Sequence, residues 1–448
     1  MYCLTSVATG LVLFTGCAKV RPQEDFARVR QLITESTGVE AVYDPDQEII
    51  TQERIDEMLL DGLSLDEALQ ITLMNNRGLQ ADFMDIGIAK ADWVQSGLMT
   101  NPSLGLSLRF PEAGGRSNLE VSLAQNIVDL WQIPIRKRAA QRALDASILQ
   151  IARQAGQLAA ETKAAYYRAV AADELFKLSQ ENLELVGKTH QAVQAQRQAG
   201  MASELDENLA RGQLLSSELK LRNAKLAKSS TKRLLARQLA LLRDLETTAL
   251  TDPLPEAQPD LSAAAELIDL AREVRLDLRA LSEQAVAAAS NIRLEHLKVF
   301  PDVTIGPSAE RSEGRASAGR NILADAARSS LAAGAPTAPD IQSRGQRNED
   351  RRQEIDAIVG FALSITLPIW DQNQAQIAKA HYQWLQALRS YEALYLSVAQ
   401  DIRLAADVAD TSSSNLEYYR TELLPQARRN LEFAEASYSS GQAGLLLF

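Results

Sequence analysis

The sequence predicts a mainly α protein with a small β part, built from long coiled-coil helical hairpins and four strands. Three observations carry that expectation. The 448 residues are 46% hydrophobic but only 5% aromatic, which suits thin helical packing better than an aromatic-filled core. A segment near the N-terminus recurs in the second half of the chain. After each copy the hydrophobic period switches from helical to strictly alternating and back.

The repeat comes first because it sets the order of elements. Residues 66–108 align without a gap on residues 265–307, so that Glu67 meets Glu266, Leu79 meets Leu278, Leu98 meets Leu297 and Pro102 meets Pro301. Each copy reads as an amphipathic helix stopped by proline, followed by alternation. In the first copy Leu104, Leu106, Leu108 and Phe110 point one way, and Leu119, Val121 and Leu123 follow after the turn-like PEAGGRSN. A hairpin over 103–125 is expected there. In the second copy Phe361, Leu363, Ile365 and Leu367 form the matching apolar set, which places a hairpin over 302–367 around a polar, Arg-rich loop at 308–357. Strands apolar on one face and small or polar on the other suit a membrane barrel with a wet lumen, and equally a half-buried soluble sheet. Four strands cannot close a barrel, and lipid does not tolerate an open edge, so the membrane reading requires several chains to share one barrel. Trp131 and Trp370 fall just past the second strand of each pair, where an interfacial aromatic or a core cap would stand.

A long helix follows each hairpin. Residues 136–199 read as one helix of roughly 95 Å at about 1.5 Å per residue. Its stripe, from Leu144, Ile148, Ile151 and Ala155 on to His190 and Val193, keeps a strict 4-3 spacing, which is a coiled-coil seam rich in alanine. The chain reverses near Gly200 and returns to about residue 250, and the prolines of 251–260 then link the two halves.

Charge and reactive residues exclude several classes of function. A net charge of −11 with pI near 5.1 leaves no basic stripe, so no nucleic-acid partner is expected. His190, His296 and His381 lack metal or nucleophile spacing, and no phosphate-binding glycine motif follows a strand. Neither an enzyme nor a cofactor is expected. Both cysteines, Cys3 and Cys17, lie in the apolar stretch MYCLTSVATGLVLFTGC, which excludes a disulfide or zinc scaffold further on. That stretch reads as a signal peptide over 1–16. Its LVLFTGC resembles a bacterial lipoprotein processing site, which implies a lipid on Cys17.

The segments LSLDEALQITLMNNRGLQA, TNPSLGLSL, LEVSLAQNIVDL, DLRALSEQAVAAASNIRLEHLKVFPDVTIGP and ITLPIWDQNQAQIAKAHYQW resemble the TolC family of outer-membrane factors in order, spacing and duplication. The resemblance implies a homotrimer in which a twelve-stranded β-barrel shared by three chains crosses the outer membrane and an α-barrel of long hairpins reaches across the periplasm. It implies as partners a periplasmic adaptor protein and an inner-membrane pump, with passive exit in efflux or type I secretion as the function. The domains are then a lipid-anchored periplasmic segment (17–62), a first structural repeat (63–250), the linker and a second repeat (261–448). Helix reversals become adaptor-contacting tips, with Gly200, Met201, Asp206 and Arg211 at the first and Gly441 at the second. Asp206, Glu435 and Tyr438 stand where members of the family latch the channel mouth. A periplasmic lipid-anchored coiled-coil scaffold without a pore is the alternative.

The ending YSSGQAGLLLF is explained by the repeat. Gly200 aligns on Gly441 and Leu205 on Leu446, so the second half is expected to stop at its reversal, with its final return helix missing.

Overall fold

The computed structural model describes residues 18–47, 50–110, 117–255, 263–299, 302–313, 328, 330–334 and 355–439. They form two compact units. One draws on 1–94, 140–287 and 385–448, and the other on 95–139 and 288–384.

The elements in chain order begin with α1 (Gln23–Thr37), α2 (Gln52–Met58), α3 (Leu65–Asn75) and α4 (Arg77–Ser96). A hairpin of β1 (Ser103–Arg109) and β2 (Asn118–Asn126) leads to the 70-residue α5 (Asp129–Gln198) and its return α6 (Glu204–Gln238). Then come α7 (Ala264–Val274), α8 (Leu276–Leu297), β3 (Val303–Glu313) and β4 (Ile355–Ile365). Last are α9 (Gln374–Tyr418), a π turn (Tyr419–Leu423) and α10 (Leu424–Ser439).

Local chemistry sets the boundaries. The Ser-x-x-Glu start of α3 is a capping box, with the Ser64 hydroxyl accepting from the Glu67 amide at 3.3 Å while the Ser64 amide donates to Glu67 at 2.9 Å. The single amphipathic helix expected in each copy is two helices. The first breaks at Asn76 and the second at Arg275, which are aligned positions of the repeat. Asn76 turns extended and its Oδ1 accepts from the Leu79 amide at 3.1 Å, capping α4, while Asn75 donates to the Leu239 carbonyl at 2.9 Å beyond the end of α6. At Arg275 the guanidinium grips Asp277 at 2.6 and 3.1 Å, and Asp277 accepts from the Leu278 amide at 2.9 Å.

The long helix starts at Asp129 rather than at 136. Pro134 lies only in its second turn, where the missing N–H removes a single bond from the ladder. The seam is legible in the packing. Leu144, Ile148, Ile151 and Ala155 bury themselves against Phe26, Val29 and Ile33 of α1 and Leu79, Phe83 and Ile86 of α4. Nearly three turns further on, Ala165, Tyr166 and Ala169 close a second cluster with Ile55, Leu63, Leu235 and Leu239. Both clusters belong to the first unit. The proline of α10, Pro425, is preceded by the π turn, in which the Leu424 amide bonds the Tyr419 carbonyl five residues back.

Candidate functional site

The second unit carries the sheet, a four-stranded antiparallel array in the order β1-β2-β3-β4. Register decides which side chains share a face, because residues directly opposite across a ladder point the same way. Leu104, Leu106 and Leu108 face Leu123, Val121 and Leu119. Val121 in turn faces Ala309, and Ala309 faces Val359. Ile305 faces Leu363, and Pro307 faces Phe361. One face is therefore apolar across all four strands apart from Gln125 and Arg311. The other carries Ser107, Glu120, Ser122, Ser308, Glu310, Gly360 and Ser364, with Arg109 paired to Glu120 at 2.7 Å.

The apolar face is largely exposed, as are Arg109, Ile358 and Ser364 of the other face. Leu104 is 73% accessible, Leu106 71%, Phe361 83% and Leu363 62%, whereas Ser107, Ser122 and Ser308 are half-buried. A sheet built for water shows the opposite arrangement.

Three expectations for this sheet are corrected. Phe110 is exposed but lies outside β1, whose last ladder pair is Arg109 with Asn118. Leu367 lies beyond β4, since Pro368 has no N–H to continue a ladder and the Thr366 amide already bonds the Asp302 carbonyl at 3.0 Å. The loop is shorter than 308–357, because β3 runs on to Glu313 and β4 starts at Ile355. Polar composition hid an alternation there. Ser308, Glu310 and Ser312 fall on the polar face, which accounts for part of the segment's polarity.

The helical end of the sheet is pinned by carboxylates. Asp129 accepts from the Thr100 amide at 2.6 Å and pairs with Arg136 at 2.9 Å. Burial pulls the Asp129 carboxyl upward, but those bonds outweigh it and hold the group below its ordinary value. Asn373, at a positive φ of 59°, donates to the Glu295 carbonyl at 2.7 Å and carboxylate at 2.8 Å. Trp131 sits in the first turn of α5, partly exposed, and Trp370 is 88% exposed.

In the first unit, the α5–α6 reversal turns on Gly200 at φ 74°, and the Met201 amide reaches back to the Gln196 carbonyl at 2.8 Å. Ser203 then caps α6. Its amide and hydroxyl donate to Asp206 at 2.9 and 2.7 Å, and these bonds hold the Asp206 carboxyl below the usual carboxylate range. Arg197 spans the reversal to pair with Glu207 and, at 3.8 Å, with Glu204. Met201 is 75% exposed, and Arg211 and Glu435 are also exposed. The pairing of Arg197 across the turn was missed in the sequence, although opposite charges flank Gly200 there. Cys17, Gly441 and the Tyr438 side chain lie outside the described residues, as do the signal segment 1–16 and the chain end. Among the described residues no group of three His, Cys, Asp or Glu side chains is placed to hold a metal. No described helix is long and apolar enough to cross a membrane.

Residues 267–447 match the family model described as outer membrane efflux protein. The second half of the chain is thus similar to that family. A curated relative, the cobalt-zinc-cadmium resistance protein CzcC of Cupriavidus metallidurans, is 22% identical over 401 residues, covering 86% of this chain and 82% of its own. The fold is shared with a solved membrane protein from Pseudomonas aeruginosa at TM-score 0.62 and 20% identity, over 86% of this chain and 85% of that one. It is shared too with the CmeC outer membrane channel of Campylobacter jejuni at TM-score 0.60 and 18% identity, over 90% and 82%. The family match and these shared folds support an outer-membrane efflux channel rather than an enzyme.

Proposed function

We propose that three copies of this chain share one twelve-stranded barrel and form a passive exit duct for efflux. The observation that carries the reading is the exposed apolar face continuous over four strands, with β1 and β4 left as open edges. In lipid an unpaired edge leaves several backbone groups without partners, so β1 of one copy pairs with β4 of the next until the ring closes. The polar face, lined by serines, glycines and the Glu120–Arg109 pair, then faces water. The helical hairpins extend the duct into the periplasm. Their reversals, at Gly200, Met201, Asp206 and Arg211 and at Gly441, meet a periplasmic adaptor that links to an inner-membrane pump, and a lipid on Cys17 adds a second anchor. Asp206, Glu435 and Tyr438 are the candidate latch residues, although Asp206 also caps α6.

Conductance of the purified chain in a planar bilayer tests the duct. Stepwise, long-lived openings are expected. A correctly assembled trimer that inserts without conducting would overturn it.

A further inference from the structure

The sheet's apolar face carries one charged side chain among those described. Arg311 stands directly opposite Leu119 on β2 and Ala357 on β4, and Leu119 faces Leu108 on β1. The row Leu108, Leu119, Arg311, Ala357 is otherwise apolar. Arg311 is exposed, and no ion pair to it is found among the described residues. On the opposite face Arg109 has its carboxylate, Glu120. The two arginines near this end of the sheet are thus treated differently.

Position along the strands gives the charge a meaning. The β1–β2 and β3–β4 connections both leave the sheet at the Arg311 end, and α5 and α9 start beyond the other end. Arg311 therefore belongs to the outer-leaflet side. Eight residues separate it from Val303 at the helical end of β3, which at about 3.4 Å per residue and a tilt of about 40° is roughly 21 Å of height. An apolar barrel band is about 25 Å tall, so Arg311 lies at its upper margin. A long side chain there keeps its stem along Leu119 and lifts its guanidinium to the headgroup layer.

We infer that Arg311 is a binding site for the anionic phosphate of an outer-leaflet lipid headgroup, held by the planar guanidinium against the rim of the barrel. The inference rests on the membrane reading of the sheet. Three copies would place three such cations around the rim and give the duct a lipid collar.

The test uses the full-length protein reconstituted in nanodiscs of phosphatidylcholine with and without lipid A, with retained lipid counted by native mass spectrometry. Lipid A is expected to be enriched over its bulk fraction by roughly fivefold per site. Arg311→Gln is expected to abolish that enrichment and Arg311→Lys to keep most of it. Equal enrichment in wild type and Arg311→Gln would overturn the inference. So would displacement of the lipid by inorganic phosphate at matched ionic strength, which would make Arg311 a general anion site. Bilayer conductance of the same preparations separates the two readings. A wild-type duct that conducts without lipid A preference sinks the lipid site alone, whereas a wild type that never inserts sinks both.

Discussion

The hydroxyl of Tyr166 lies 2.8 Å from the carbonyl oxygen of Leu63, joining the middle of the long α5 helix to the strand-like segment just before α3. The Tyr166 hydroxyl oxygen in turn accepts from the Asp252 amide at 3.1 Å, and the Asp252 carboxylate accepts from the Leu65 amide at 2.6 Å. Leu63 and Leu250 form a parallel bridge alongside. One buried phenol thus ties the first repeat's entry, its long helix and the start of the linker together. Burial raises the hydroxyl's pKa, so it stays a proton donor through the neutral range.

Tyr166→Phe removes that donor and leaves the Asp252 amide short of a partner, while the Leu63 carbonyl keeps the Thr251 amide at 3.1 Å. A loss of about 1–3 kcal/mol is expected, read as a lower thermal midpoint with unchanged helix content. An unchanged midpoint would mean that water replaces the hydroxyl without penalty.

Gly306 and Gly360 face the same side of the sheet with opposite tolerances. A Cβ at Gly306 would run into the backbone carbonyl of Leu123, whereas one at Gly360 meets nothing within 4 Å. Gly306→Ala is expected to break β2–β3 pairing and prevent heat-stable assembly, and Gly360→Ala to assemble normally. Electrophoretic mobility with and without boiling distinguishes them.

Charge placed on either face should separate a membrane sheet from a soluble one. Leu106→Asp and Leu363→Asp are expected to cut recovery in the outer-membrane fraction severely, while Ser107→Asp, on the polar face, is expected to leave it near wild type. Equal recovery of all three variants would contradict a lipid-facing apolar side.

Acid sensitivity is expected at Asp277, which sits between Arg275 at 2.6 Å and Arg153 at 3.2 Å. Burial pulls its pKa up, but the bonds from the two arginines outweigh that and hold it below the ordinary value. A depressed folded pKa means that the stabilisation is complete above the unfolded value, about 4, and disappears as pH falls through the folded value. Asp277→Asn should therefore be less stable than wild type at neutral pH, with the gap narrowing below about pH 4. Urea midpoints across that window measure it, and a constant gap would refute the assignment.

Much of the site was written in local pattern. The alternation of Leu104, Leu106 and Leu108 and of Phe361, Leu363 and Ile365 named both hairpins and the faces they expose. The 4-3 stripe of α5 named Leu144, Ile148, Ile151 and Ala155 of one core and Ala165 and Ala169 of the other, but not Tyr166. Where the reading failed, the deciding partners lay far off in the chain. The split at Asn76 depends on a helix end more than 150 residues away, whose carbonyls Asn75 and Asn76 answer. The full length of β3 was invisible because Ser308, Glu310 and Ser312 look like loop until β2 and β4 are laid beside them.

The sequence by itself determined the helical and strand periods, the duplication and the side of each strand that is apolar. These follow from spacing along one chain, and spacing is a local property. Only the tertiary structure decided that the apolar sides of all four strands coincide and that Arg311 falls among them. Register across a sheet is set by hydrogen bonds between distant segments, and a slip of one residue would have turned Arg311 toward the polar face.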